Sequence, residues 1–129
     1  GSERVHRHPA ELGDRAHLRA VTQRLRMKGA TVSGGPLFLV VTIKPRLDRM
    51  AEAEAQLQSM RRNTLEEPGC VFMHLVQPQD DPDSWVMLEM FRSRAAWDEH
   101  MRQPYNTEGN RILEDLLREP SELRLFDEK

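Results

Sequence analysis

The feature that most constrains the fold is a pair of short apolar segments joined by a turn. Residues 70–77, CVFMHLVQ, and residues 85–91, WVMLEMF, flank the seven residues PQDDPDS. Apolar segments of this length between turn residues are typical of buried strands, and proline and aspartate supply the chemistry of a turn. The sequence therefore predicts a β-hairpin over residues 70–91, around which the rest of the fold must be built.

A strand and a helix precede the predicted hairpin. The segment LFLVVTIKP is apolar, β-branched and closed by Pro45, as expected of a buried strand. Asp48 is a suitable N-cap for the helix that follows, and Pro68-Gly69 ends that helix. One face of this helix is formed by Met50, Ala53, Leu57, Met60 and Thr64.

Helices and a last strand follow the hairpin. Ser93 is predicted to cap a short helix that Pro104 stops, and Asn106 is predicted to cap another. The segment ELRLF alternates as a final strand. The order β-α-β-β-α-(α)-β contains two split βαβ halves. We therefore expect an α+β, ferredoxin-like domain with an antiparallel sheet and helices on one face.

The opposite face of this sheet also requires cover. Phe38, Val40, Phe72 and Val76 alternate along the predicted strands and would make that face apolar. A large apolar sheet face left in water is a liability. A homodimer that packs two such sheets together would remove it, and we expect this assembly.

The beginning of the chain differs in composition from the remainder. Residues 1–28 carry seven arginine and lysine side chains against three acids, which gives seven minus three, or +4, and their apolar residues recur at roughly helical spacing. The linker GATVSGGP follows. We expect a basic N-terminal extension with a helix over residues 1–35, and a folded domain over residues 36–129. The extension could dock on its own domain or a partner subunit, which we favour, or contact nucleic acid or an anionic membrane.

Composition narrows the class of protein. The net charge is −2, so the chain as a whole does not have the character of a polyanion binder. The single cysteine, Cys70, excludes an internal disulfide and favours a reducing compartment. No apolar run approaches the roughly 20 residues of a membrane span, and the start lacks an apolar signal core. We expect a cytoplasmic protein that contacts no membrane, and we disfavour contact with nucleic acid.

Three segments together resemble one protein family. They are EEPGC, DDPDSWVMLEMFRSRAAWDEHMRQPY and EPSELRLF. Over about Pro36 to Phe126 the chain resembles the antibiotic biosynthesis monooxygenase family, whose members are small dimeric α/β-barrel proteins. The resemblance implies the ferredoxin-like fold and a homodimer. It does not imply one reaction, because members oxygenate polycyclic phenols to quinones without metal or flavin, oxidise small quinols, degrade haem or isomerise a signalling molecule.

Functional residues of two groups within this family are replaced here. The quinone-forming members carry an asparagine, a tryptophan and a tyrosine at positions that fall at Met87, Phe91 and Trp97. The haem-degrading members carry an asparagine, a tryptophan and a histidine at positions that fall near Leu39, Phe91 and Gly109. Haem degradation is therefore disfavoured, and only aromatic character remains from the quinone-forming set.

His100 is the candidate catalytic residue. It is similar to a histidine of many family members, and it shares a helical face with Trp97 and Met101. A histidine is suited to remove a phenolic proton, here in a pocket lined by Trp97 and Phe91. The alternative is a structural histidine that is hydrogen bonded to a backbone carbonyl or to Glu89.

The third predicted strand supplies further candidate ligand contacts. Met87 and Phe91 share a strand face with Glu89, and a methionine lining suits a flat aromatic ligand. A carboxylate on an apolar face needs a partner or a raised pKa, so Glu89 is either anchored to an arginine or a pocket acid. Tyr105 is expected at the pocket mouth. The predicted substrate-binding residues are Trp97, Phe91, Met87, Glu89 and Tyr105.

No cofactor is predicted. His74 alternates with Phe72 and Val76, which favours a place in the dimer interface over a metal site, and no second ligand stands at a suitable spacing. GATVSGGP lacks the lysine of a P-loop and the spacing of a dinucleotide motif. We expect a cofactor-independent, metal-free monooxygenase that oxidises a small phenol, quinol or polyketide-like aromatic with molecular oxygen. The alternative is a non-catalytic small-molecule-binding or accessory dimer.

Overall fold

A four-stranded antiparallel sheet covered by helices confirms the ferredoxin-like α+β prediction. The computed structural model describes residues 34–129, so the helix predicted within residues 1–28 lies outside the described part of the chain. In chain order the elements are β1 (Leu37–Ile43), a 3-10 turn (Leu47–Arg49), α1 (Met50–Leu65), β2 (Cys70–Val76), β3 (Trp85–Phe91), α2 (Arg94–Met101), α3 (Pro104–Glu114) and β4 (Glu122–Asp127).

The strand order is β2-β3-β1-β4, and each neighbouring pair is antiparallel. β2 and β3 form the predicted hairpin, in which Met73 lies opposite Glu89. On the other side of β3, Glu89 lies opposite Leu39 of β1, which in turn pairs with Leu125 of β4. Because directly opposed residues project to the same side of a sheet, this register places Leu39, Met73 and Glu89 on one face.

The first helix begins differently from the prediction. Asp48 is not its N-cap, because Asp48 lies inside the 3-10 turn and Arg49 occupies the N-cap position without a side-chain capping bond. The Arg49 amide donates to the Arg46 carbonyl at 2.9 Å, so helical turns have already started before Asp48. From the predicted inner face of α1, the fully buried residues are Ala53, Leu57 and Thr64.

The boundaries of α2 and α3 are set by one serine and one proline. Ser93 caps α2 as predicted, since its hydroxyl accepts a hydrogen bond from the Ala96 amide at 3.1 Å. α2 ends at Met101, and Pro104 then starts α3. The prediction that Asn106 caps α3 is wrong, because proline suits the first helical position and Asn106 is buried in the first turn instead.

The two faces of the sheet have different surroundings. On one face, Ile43, Trp85 and Met87 pack in a core cluster with residues of α1 and α3. Within residues 34–129, the cluster on the opposite face contains strand residues and no helix residue. None of the helices in this range has the length and apolar character that crossing a membrane requires. The strand-only cluster comprises Val71, Phe72 and Met90, with Phe38 and Leu88 packed against them.

Candidate functional site

A cavity of about 160 Å³ lies between the helix-covered sheet face and the helices. Its floor is formed by side chains of the strands, and its walls are formed by α1, α2 and α3. The floor includes Leu39, Met73, Met87 and Glu89. The walls include Met60, Thr64, Trp97, His100, Asn106 and Asn110.

The lining of the cavity is mostly apolar and adaptable. Four methionines contribute to it, and an unbranched thioether side chain can settle against a flat ring. A dry engineered cavity of about 150 Å³ in another protein holds benzene, so the space available here suits roughly one aromatic ring. The four methionines are Met60, Met73, Met87 and Met101.

His100 is held at the cavity wall by a carboxylate. It lies in the last turn of α2 and is 5 % exposed. Its Nδ1 atom is 2.9 Å from Oε2 of Glu67, in the turn between α1 and β2. Because an ionised carboxylate only accepts hydrogen bonds, Nδ1 carries the proton, and Nε2 is the ring nitrogen left for a ligand. The partner of His100 is therefore Glu67, and neither a backbone carbonyl nor Glu89 takes that place.

Tyr105 lies behind the Glu67–His100 pair. Its hydroxyl donates a hydrogen bond to the same oxygen of Glu67, and it also approaches the Asn63 carbonyl at 3.4 Å. Glu67 thus receives donors from the end of α2 and the start of α3. Tyr105 was predicted at the pocket mouth, whereas the structure places it outside the cavity lining, where it contacts the site through Glu67.

Glu89 is the second ionisable side chain that lines the cavity. It is 7 % exposed, and among residues 34–129 no arginine and no hydrogen-bond donor engages its carboxyl, so the predicted arginine anchor is not found there. Burial raises the pKa of Glu89 to about 7, and the nearby charge of His100 offsets part of this rise. Glu89 is therefore a pocket acid rather than an anchored one.

The remaining predicted ligand contacts divide between the cavity and the core behind it. Trp97 and Met87 line the cavity. Phe91 was predicted to line it too, but it is 0 % exposed and its ring centroid lies 5.1 Å from that of His100. Phe91 therefore supports the imidazole from behind. The Arg94 guanidinium lies 4.9 Å from the Trp97 ring centroid, which is within cation–π range.

Sequence analysis singled out neither Glu67 nor Asn110, and it favoured a cap role for Asn106 over a place at the pocket mouth. Glu67 stands in the EEPGC segment, but nothing local to that segment indicates its contact with His100. Asn106 and Asn110 lie four residues apart on α3, and the Asn110 amide donates to Oδ1 of Asn106 at 3.3 Å. Their spacing is the one signal that could have indicated a paired amide wall.

The site combines a mostly apolar lining with two side chains that can accept protons. Among the described residues that line the cavity, His100 and Glu89 are the titratable ones. Within the part of the chain that the structure describes, no three histidine, cysteine, aspartate or glutamate side chains form a group that could hold a metal ion. Such an arrangement can take a proton from an aromatic hydroxyl in mostly apolar surroundings.

Comparison with known proteins identifies similar sequences. Residues 36–111 match the family model described as "Antibiotic biosynthesis monooxygenase". An uncharacterized protein of Synechocystis sp. is 30% identical over 91 residues, which cover 70% of this chain and 62% of that protein. The chain thus spans less than two thirds of this relative. A Mycobacterium tuberculosis protein named "Putative monooxygenase Rv0793" is 31% identical over 85 residues, which cover 66% of this chain and 83% of that protein.

Solved structures share the fold. The structure of Rv0793 from Mycobacterium tuberculosis superposes with a TM-score of 0.70 at 27% identity and covers 74% of this chain and 96% of its own. A conserved protein from Methanosarcina mazei Go1 gives a TM-score of 0.71 at 22% identity, with 73% and 93% covered. The second likeness concerns the fold alone.

Proposed function

This chain belongs to the antibiotic biosynthesis monooxygenase family, and from that membership and the cavity geometry we propose that it is a cofactor-independent monooxygenase. Its substrate is a small phenol, quinol or related polyketide-like aromatic, and its oxidant is molecular oxygen. The observation that carries the proposal is His100, held by Glu67 at the wall of a cavity with room for about one ring.

His100 acts in this proposal as the general base. A phenolate is far easier to oxidise than a phenol, so removing the hydroxyl proton prepares the substrate to supply its own electrons. Trp97 and Met87 enclose the ring. Phe91 and Tyr105 are positioning residues, because they contact His100 and Glu67 and do not line the cavity.

The proposed reaction balances for a phenol with a free para carbon. His100 takes the hydroxyl proton, and the phenolate passes one electron to O2, which gives a phenoxyl radical and superoxide. Their recombination forms a bond between oxygen and the para carbon, and the imidazolium returns its proton to the peroxide. Loss of the proton on that carbon breaks the O–O bond and leaves a quinone and hydroxide, which takes up that proton. Phenol and O2 thus become quinone and water.

The proposed assembly is a homodimer through the strand-only face of the sheet. This face carries the apolar side chains Phe38, Phe72, Leu88 and Met90, and within residues 34–129 no helix residue belongs to their cluster. Phe72 and Met90 are already buried within one chain, and a second copy with the same face would cover the half-buried Phe38 and Leu88 in an isologous interface.

Oxygen uptake and isotope incorporation test the proposed function. Phenol, 1-naphthol and hydroquinone are supplied in an oxygen electrode, and the quinone formed under ¹⁸O2 is analysed by mass spectrometry. We expect one labelled oxygen per quinone formed from phenol. His100→Gln retains volume but removes the base, and it should lower turnover by about 10²- to 10⁴-fold. The matched control His74→Gln changes a histidine outside the cavity lining and should retain turnover.

Unchanged turnover in His100→Gln would remove His100 from the mechanism. Saturable ligand binding without oxygen uptake by the wild-type protein would instead support a second candidate, a non-catalytic small-molecule-binding protein. One observation favours that candidate. Met87, Phe91 and Trp97 stand where the quinone-forming members of the family carry asparagine, tryptophan and tyrosine.

A further inference from the structure

We propose that Glu89 makes the cavity selective for aromatic ligands that carry a hydroxyl group, because its carboxyl accepts a hydrogen bond from that hydroxyl at the cavity floor. The inference rests on the proposed function for the identity of the site. It concerns which ligand is chosen, whereas the proposed function concerns what happens afterwards, when the hydroxyl leaves Glu89 and passes its single proton to His100.

The first support is that Glu89 is buried without a donor in the described residues. Its side chain is 7 % exposed, and its directly opposed neighbours in the sheet are Leu39 and Met73, which have apolar side chains. A buried carboxyl left without a hydrogen bond costs free energy, and a ligand hydroxyl would recover part of that cost. No donor within residues 34–129 competes with the ligand for this position.

The second support is that the carboxyl lines a mostly apolar, half-open space. Its volume of about 160 Å³ suits one aromatic ring. Sites built to hydrogen bond a ligand hydroxyl reject analogues that lack it, because the site's polar group then stays unpaired. Phenol should therefore bind better than toluene, which has nearly the same shape.

The charge of Glu89 should control this preference. The raised pKa of about 7 means that the carboxyl ionises near neutral pH, and an ionised acceptor makes the stronger bond. Phenol itself, with a pKa near 10 like tyrosine, stays neutral below about pH 8.5. Among the described residues that line the cavity, α1 and α3 contribute no titratable side chain, and α2 contributes His100. The affinity for phenol should rise from pH 6 to pH 8, and it should still rise in His100→Gln.

Ligand binding can be followed through the indole signals of a ¹⁵N-labelled protein by NMR. The chain has two tryptophans, of which Trp97 lines the cavity and Trp85 does not. Trp97 therefore reports binding, and Trp85 is an internal control within the same spectrum. The variant Trp85→Phe assigns the two signals. The ligands are phenol and toluene, each titrated at pH 8.

In the wild-type protein, phenol should bind about 10- to 100-fold more tightly than toluene, as expected for a hydrogen bond to a charged group. Glu89→Met keeps the length of the side chain but removes the acceptor, so the preference for phenol should disappear while toluene still binds. Glu89→Gln retains an uncharged acceptor and should show an intermediate preference. Glu99→Gln, an exposed control on α2, should behave as wild type.

The proposal is overturned if phenol and toluene bind equally to the wild type, if the preference survives in Glu89→Met, or if neither ligand shifts the Trp97 signal. Failure of the proposed function looks different. A protein that selects phenol through Glu89 but never consumes oxygen would refute the oxygenation and retain this inference. If the Glu89→Met variant oxidises phenol as well as the wild type does, the proposed oxygenation stands and this inference is refuted.

Discussion

The Glu89 carboxyl couples the stability of the domain to pH. Burial raises its pKa from 4.5 to about 7, so the folded protein keeps a proton that the unfolded chain has released between these two values. The stability that the neutral carboxyl contributes is fully present below about pH 4.5 and is lost as the pH rises through about 7. The difference between the two pKa values corresponds to about 3 kcal/mol.

Glu89→Gln should therefore stabilise the protein in a pH-dependent way. Glutamine stays neutral, so the variant is expected to match wild type near pH 4.5 and to exceed it by up to about 3 kcal/mol at pH 8. Urea unfolding of both proteins across this range measures the difference. The exposed control Glu99→Gln should show no such trend, and a gain that is independent of pH would contradict the assignment to Glu89.

The charge of Glu67 should contribute more to the stability of the fold than the charge of its neighbour Glu66. Its side chain accepts hydrogen bonds from both His100 and Tyr105, and hydrogen bonds to charged groups contribute about 1.5–3 kcal/mol. We expect Glu67→Gln to lower the free energy of unfolding by about 1–3 kcal/mol. Glu66→Gln, the exposed neighbour, should stay within about 0.5 kcal/mol.

A double-mutant cycle separates the two donors of Glu67. Tyr105→Phe removes one hydroxyl donor, and its effect should be smaller in the Glu67→Gln background, with a coupling of about 0.5–3 kcal/mol. Chemical denaturation of the four proteins measures this coupling. Additive losses would mean that the two side chains stabilise the fold independently.

Sequence patterns indicated His100 and Glu89 because each is a polar residue at an apolar position of a periodic element. That signal is local and needs no tertiary information. Glu67 could not be found in this way, since it lies in a turn and meets His100 across 33 positions in sequence. Which acid approaches a histidine depends on how the elements pack. Phe91 and Tyr105 were predicted to contact the ligand, and the structure places Phe91 against the imidazole and Tyr105 against Glu67, both outside the cavity lining.

At the scale of elements, α2 lies very close to Gly69, the residue directly before β2. A Cβ atom on Gly69 would stand 2.5 Å from the Cβ of Ala96 and 3.4 Å from its Cα. Ala96 has no flexible end that could move aside. Gly69→Ala must therefore displace α2, the helix that carries His100, and should destabilise the protein by about 1–3 kcal/mol.

The clash at Gly69 can be relieved from the other side. Ala96→Gly alone should cost about 1 kcal/mol through lower helix propensity. Combined with Gly69→Ala, it removes the opposing methyl group, so the double variant should lose less than the sum of the two single losses. Thermal or urea unfolding of the four proteins checks this, and strictly additive losses would show that the two positions do not touch.

Helix ends show which local signals were sufficient for prediction. Ser93 was identified as a cap because it directly precedes an amphipathic segment, and its hydroxyl does accept the Ala96 amide. Asp48 and Asn106 carry the same kind of signal, but the backbone had already entered a helical turn before each of them. A potential capping residue competes with other residues that can begin the helix, such as Pro104. The sequence pattern alone does not show which of them the helix uses.

At the scale of the whole molecule, the order of elements was predictable and the cavity was not. Alternation and turn residues specified four strands and their ferredoxin-like order, because these features arise within short segments. The cavity arises from the volume left between Met60, Trp97 and the strand floor, and small shifts of packed helices would change it. The sequence showed Met87 on the same strand face as Glu89, but packing decided that space remains between the side chains.

The strand-only face of the sheet leads to the prediction about assembly. Leu88 lies within this face, between Val40 on β1 and His74 on β2. In an isologous dimer each substitution appears twice at the interface, so Leu88→Glu would bury two acids in an apolar contact. We expect wild type to have the mass of two 15.0-kDa chains by light scattering and Leu88→Glu to have the mass of one.

Leu47→Glu, at an exposed apolar residue in the 3-10 turn, is the matched control and should remain dimeric. Circular dichroism establishes that both variants are folded. A wild-type monomer, or a folded Leu88→Glu variant that stays dimeric, would show that this sheet face is not the dimer interface.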